Sequence, residues 1–223
     1  MNEEFHLHAY EKLSLGTAGV VMGILLIVLH TFALCKPKAT KKALTTVSGN
    51  ESAALFLLLF DFIWIILLLL PNWLLLWAML PFSPIWLTPF LPHVDYNPLW
   101  MNLFDFNGIR GMLLILCPVV CAVLLYYNKK NELLFPRALG LFLLLLALVP
   151  LTAAFLKDPV TRLLIPCWCY PVLTVAMFWV AKPYLFRDWM EKLAANNRAY
   201  TLLNGIGAVW GAAILTCALC FWF

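Results

Sequence analysis

The chain has 223 residues, of which 64% are of hydrophobic type and 12% are charged, with a formal net charge of +4. Soluble domains are roughly half apolar and about a quarter charged, so too few polar side chains are present to cover a water-soluble fold, and lipid must solvate most of the surface. The positive balance does not point to nucleic acid either: the basic residues sit in clusters between apolar runs, with no accessible basic loop interleaved with aromatics, and they read as orientation signals.

The length allows a single membrane domain, 1–223. The first residues, Met1 to Phe5, are acidic. A secretory signal peptide needs a positive start and a small-residue cleavage site, so the first apolar run is expected to be a retained helix. Phe32-Ala33-Leu34-Cys35 loosely resembles a lipoprotein cleavage box, but the acidic front and the lysines behind it argue against processing there. Phe5, Leu7, Tyr10 and Leu13 can line one side of a short surface helix on the outer face.

Six apolar runs are long enough to cross a hydrocarbon core of ~30 Å. They cover about 14–35, 53–70, 109–127, 136–156, 161–181 and 199–222. In lipid every backbone amide must bond internally, so the runs are helices or barrel strands. Barrel strands alternate polar and apolar residues. These runs do not alternate, so the expected fold is an all-α integral membrane protein with a six-helix transmembrane bundle.

Lysine and arginine placement orients the bundle. The loops 36–50, 128–137 and 182–198 share one side and hold eleven basic residues, against four on the other. That split makes these loops cytoplasmic and both termini extracytoplasmic, in a cell (inner) membrane. Counting residues 73–91 as a seventh crossing would leave seven against eight and abolish the bias, so six is the preferred count. Within the last cytoplasmic loop, residues 187–198 can form a second surface helix.

Residues 72–107 then fall on the outer side. They contain Trp73, Trp77, Trp86 and Trp100, five prolines, and only Asp95 and Asp105 as charged residues. The segment is too apolar for an exposed loop and too rich in proline for a long straight helix. Tryptophan favours the headgroup zone. The segment is expected to be a re-entrant or interfacial cap. Leu59-Phe60-Asp61-Phe62 recurs as Leu103-Phe104-Asp105-Phe106. The flanks do not match, so an internal repeat of the transporter kind is not adopted.

Among the polar residues, Asp61 stands out, near the centre of the second run. An unpaired carboxylate there costs at least ~2.5–3.5 kcal/mol, so it is expected to face the bundle interior with a partner or to be protonated. Tyr170 and His30 are the expected donors. A proton or cation relay competes with a simple polar clamp worth ~0.6–2 kcal/mol, and the clamp is preferred.

Arg110 lies at the outer mouth of the third run and pairs there with a carboxylate or contacts an anion or headgroup; the pair is preferred. His6, His8, His93 and Asp95 share the outer face under this topology, but their short spacings do not argue for a metal. Seven cysteines are present. Cys217 and Cys220 form a C-x-x-C inside an apolar helix without a basic neighbour, which leaves the thiols inert. Gly19 and Gly23, and Gly207 and Gly211, match the small-residue pattern that lets helices approach closely. They predict tight packing of the first and last helices, against each other or a partner. Pro118, Pro150, Pro166 and Pro171 fall within runs and can kink them.

No haem-holding histidine pair, P-loop, Gly-x-Ser-x-Gly or His-Glu-x-x-His is present. The preferred function is a non-catalytic subunit or scaffold of a larger membrane complex, with the bilayer and other membrane subunits or a second copy as partners. The alternative is a small-solute, ion or proton transporter or channel using Asp61. The third is an enzyme acting on a lipid or quinone at the outer interface through His93 or Asp95. No cofactor is expected, although a bound lipid or quinone is compatible with the composition.

Overall fold

Ser14 opens the first helix. Its hydroxyl accepts from the Thr17 amide at 3.1 Å, satisfying one of the donors that a helix start leaves unpaired. The computed structural model describes residues 13–69, 116, 118–123, 134–155 and 157–222. Its helices are α1 (Leu15–Cys35), α2 (Pro37–Ser48), α3 (Glu51–Leu69), α4 (Leu134–Ala154), α5 (Leu164–Ala181), α6 (Tyr184–Ala195) and α7 (Asn197–Phe221), with a 3-10 turn over Val160–Leu163 before α5. There is no strand among the described residues.

Four spans are long and apolar enough to cross a membrane: α1, α4, the 3-10 turn with α5, and α7. This is the helix set of a membrane protein. Only 17–33% of each span is buried within the protein. Exposed side chains such as Val28, Leu29, Met177, Leu202 and Val209 therefore need an apolar solvent.

Helix starts follow capping residues rather than the onset of hydropathy. Asn50 accepts from the Ser52 amide at 3.0 Å, so α3 begins at Glu51, ahead of the apolar run at 53. Asn196 accepts from the amides of Arg198 and Ala199 at 3.1 and 3.2 Å, so α7 begins at Asn197. The same residue divides the stretch expected as one surface helix over 187–198. That helix runs Tyr184–Ala195 instead. Residues 36–50, expected as a loop, hold α2. Pro37 occupies its first position, where a missing amide hydrogen costs nothing. The run 109–127 lies largely outside the described residues, and the cap 72–107 lies wholly outside them.

Contacts divide the chain into two units, Met1–Leu13 with Leu59–Lys130, and Ser14–Leu58 with Asn131–Phe223. In the first, the described residues are Leu13, the second half of α3, and helical residues 116 and 118–123. The second unit is built on α1 and α7. A Cβ at Gly23 would lie 2.9 Å from the Leu215 Cβ, and one at Gly211 would lie 2.8 Å from the Leu26 Cβ. Gly19 faces Trp222 and Ala218, and Gly207 faces the His30 ring. Residue numbers rise along α1 as they fall along α7, so the two helices are antiparallel. Helices α4 and α5 form a second close pair, with Gly140 against the Ala176 carbonyl and Val180. One core joins all four helices through Leu15, Leu26, Ala147, Ala154, Ile165, Cys169, Ile214, Ala218 and Trp222.

This arrangement gives the unit two unlike ends. At one end, α1 and α5 finish and α4 and α7 begin, with α2 and α6 attached. That end carries Lys36, Lys38, Lys41, Lys42, Arg137, Lys182, Arg187, Lys192 and Arg198. The other end carries Lys157 and Arg162, with Asp158 between them. The α6 helix lies against the first end, because Phe186 packs on Trp179 at 4.8 Å and on Phe135 at 6.1 Å between ring centres.

The close approach of α1 and α7 yields a direct test. Gly23→Val forces atoms into the Leu215 backbone, and overpacking of this kind costs about 1–3 kcal/mol. Nothing lies within 4 Å of a Cβ at Gly205, so Gly205→Ala is expected to leave stability unchanged or raise it slightly. Thermal unfolding in detergent should lower the melting temperature for Gly23→Val alone; equal behaviour of the two variants would contradict the packing described.

Candidate functional site

Polar side chains inside apolar helices are the natural candidates, because each must find a partner or a purpose. In the second unit they form a ladder along the α1–α7 seam. The Tyr200 hydroxyl donates to the Ala33 carbonyl at 3.1 Å. One turn on, the Asn204 amide nitrogen donates to the Tyr200 carbonyl at 2.9 Å. That bond fixes the Asn204 oxygen as an acceptor, and it lies 3.1 Å from the His30 Nδ1. An amide oxygen only accepts, so Nδ1 is the donor in this bond. Gly207, three residues after Asn204, leaves room for the imidazole.

Aromatic rings continue the ladder into α5. Trp168 meets His30 edge to face at 5.9 Å and stacks on Trp210 at 6.3 Å. The Trp210 indole donates to the Leu164 carbonyl at 3.0 Å. Near the far end, the Trp222 indole donates to the Thr161 hydroxyl at 2.9 Å. At the basic end, Lys41 of α2 donates to the Ala194 carbonyl at 3.0 Å and to the Asn197 side-chain oxygen at 2.9 Å. Its ammonium lies 4.7 Å from the centre of the Tyr200 ring. Each such bond joins one helix to another or braces a residue that does. Interhelical bonds of this type contribute ~0.6–2 kcal/mol each in a membrane.

Asp61 is different. It lies on the buried face of α3 with Ala54, Leu58 and Phe62, and it has no exposed surface. Neither carboxylate oxygen has a hydrogen-bond partner among the described residues. Within the second unit, His30 is bonded to Asn204, and the Tyr170 ring is exposed on α5. Pro171 lies within α5, whereas Pro166 falls in the first turn, where no amide hydrogen is required.

Arg110, His93, Asp95, His6 and His8 lie outside the described residues. No group of three or more His, Cys, Asp or Glu side chains that could hold a metal occurs among the described residues. Cys217 is half-buried and Cys220 exposed, and neither is in a disulfide. Asn204, Tyr200, Trp168 and Trp210 carry the ladder and were not singled out by sequence reasoning. Asn204 had a readable signal: a lone amide in the apolar run 199–222, three residues before a seam glycine.

Among the described residues, the ladder clamps helices to one another. Comparison with protein-family models, curated proteins and solved structures finds no match to this chain.

Proposed function

We propose that the chain is a non-catalytic, multi-pass subunit or scaffold of a larger membrane complex, with other membrane subunits or a second copy as partners. The observation that carries this reading is the use of the seam's polar groups: His30, Asn204, Tyr200 and Lys41 are all spent on joining helices, and the outer faces are apolar. Residues spent on internal bonds serve rigidity rather than turnover.

Six crossings with both termini extracytoplasmic complete the reading. Two observations support it. First, α1 and α7 are antiparallel; if both span the same membrane, the number of crossings from first to last is even, which favours six over seven. Second, the basic residues of this unit gather where α1 and α5 end, the side that the positive-inside rule assigns to the cytoplasm. A cell (inner) membrane and the outer interfacial cap over 72–107 belong to the same proposal.

A second reading, a small-solute, ion or proton transporter or channel, is favoured by Asp61 alone. A fully buried carboxylate without a partner among the described residues is costly in an apolar helix and is the kind of group on which proton and cation pathways depend.

Three outcomes are expected. Mild solubilisation of native membranes followed by native mass spectrometry should give an assembly of fixed stoichiometry larger than one 25.4 kDa chain; a monodisperse monomer would overturn the scaffold. Single-cysteine accessibility labelling should place Lys38→Cys and Lys129→Cys on the same side of the membrane, and opposite sides would end the six-crossing topology. In proteoliposomes, Asp61→Asn should leave assembly intact. If flux through the wild type is found and this variant abolishes it, the transporter reading replaces the scaffold.

A further inference from the structure

The surplus positive charge at the basic end is not shared equally between its two short helices. On α6, Arg187 and Lys192 are offset by Asp188 and Glu191, each acid one helical turn from a base. On α2 there is no acid at all: Lys38, Lys41 and Lys42 follow Lys36 directly, and the first acidic residue after them is Glu51. Lys41 is turned inward, bonded to the Ala194 carbonyl and Asn197 and lying over Tyr200. Lys36, Lys38 and Lys42 are exposed, and the last two, four residues apart, share a face of α2. Neither Lys38 nor Lys42 makes an ion pair among the described residues.

The Lys41 tether also sets the depth of this patch. Tyr200, against which Lys41 rests, bonds to Ala33 in the last turns of α1. Lys41 therefore holds α2 close to where α1 finishes and α7 begins. That level is where a bilayer presents its headgroups. Charge complementarity identifies the occupant: uncompensated lysines at the membrane border attract anionic lipid.

We propose that α2 is a docking surface for the headgroups of anionic glycerophospholipids, with Lys36, Lys38 and Lys42 contacting the phosphates and Lys41 holding the helix in place. The inference concerns which lipid surrounds the protein and stands whether or not the chain is a scaffold.

The full chain reconstituted in nanodiscs of phosphatidylcholine, or of an equal mixture with phosphatidylglycerol, gives the test. Wild-type protein should unfold several degrees higher in the mixture at low salt, and added salt should erase the gain, because exposed charges are screened. The Lys36→Gln, Lys38→Gln, Lys42→Gln triple variant should match wild type in phosphatidylcholine alone, which verifies its fold, and should lose the gain in the mixture. The corresponding triple arginine variant should keep the gain. Absence of a gain in wild type would overturn the proposal, as would its survival in the glutamine variant or its loss only in a Lys182→Gln, Arg198→Gln variant. Free glycerol phosphate added to phosphatidylcholine nanodiscs should have no effect; a matching shift would identify a soluble phosphate site instead.

Discussion

Between helices already dissolved in lipid, burial of apolar surface brings little gain, because hydrocarbon tails are as apolar as leucine. Association then depends on how closely two backbones can approach. Along α1 and α7 that approach is set by glycine: Gly23 against Leu215, and Gly211 against Leu26 and the Ile27 backbone. The rest of the described bundle is arranged on this antiparallel pair. Small residues continue the theme at its centre, where Ala138, Ala153, Ala176 and Ala218 have almost no exposed surface.

Close approach lets weak polar bonds become useful. His30 reaches Asn204 because Gly207 leaves the space its ring occupies. Tyr200 reaches the Ala33 carbonyl because the two helices touch at that level. Each bond is modest, yet their spacing along the seam fixes its register: a slide by one turn would bring side-chain carbons into the places left by glycines. Asp61 follows no such logic. It is buried, and its oxygens have no hydrogen-bond partner among the described residues.

Much of the helical architecture was legible in the sequence, since long uncharged runs leave little choice in lipid. What hydropathy could not give was the ends. Asn50 and Asn196 start helices before the apolar runs begin, and α2 was hidden because a short helix with three lysines reads as a loop. The glycine spacings were visible, but what each glycine faces depends on residues far along the chain. The candidate site was less legible. Asp61 could be marked from its position alone, whereas its full burial, and the pairing of His30 with Asn204, required the fold. Trp168 and Trp210 were unremarkable among ten tryptophans, because indoles serve equally as membrane anchors and as packing.

The pairing of α1 with α7 has a consequence for biogenesis. Ala33 and Tyr200 are 167 positions apart, so during synthesis α1 enters the bilayer long before its main contact surface exists. Its glycine face must wait while the intervening spans are made, and the seam closes only once α7 has emerged. Contacts this distant along a chain form slowly, and an incompletely made chain lacks the element that completes the groove.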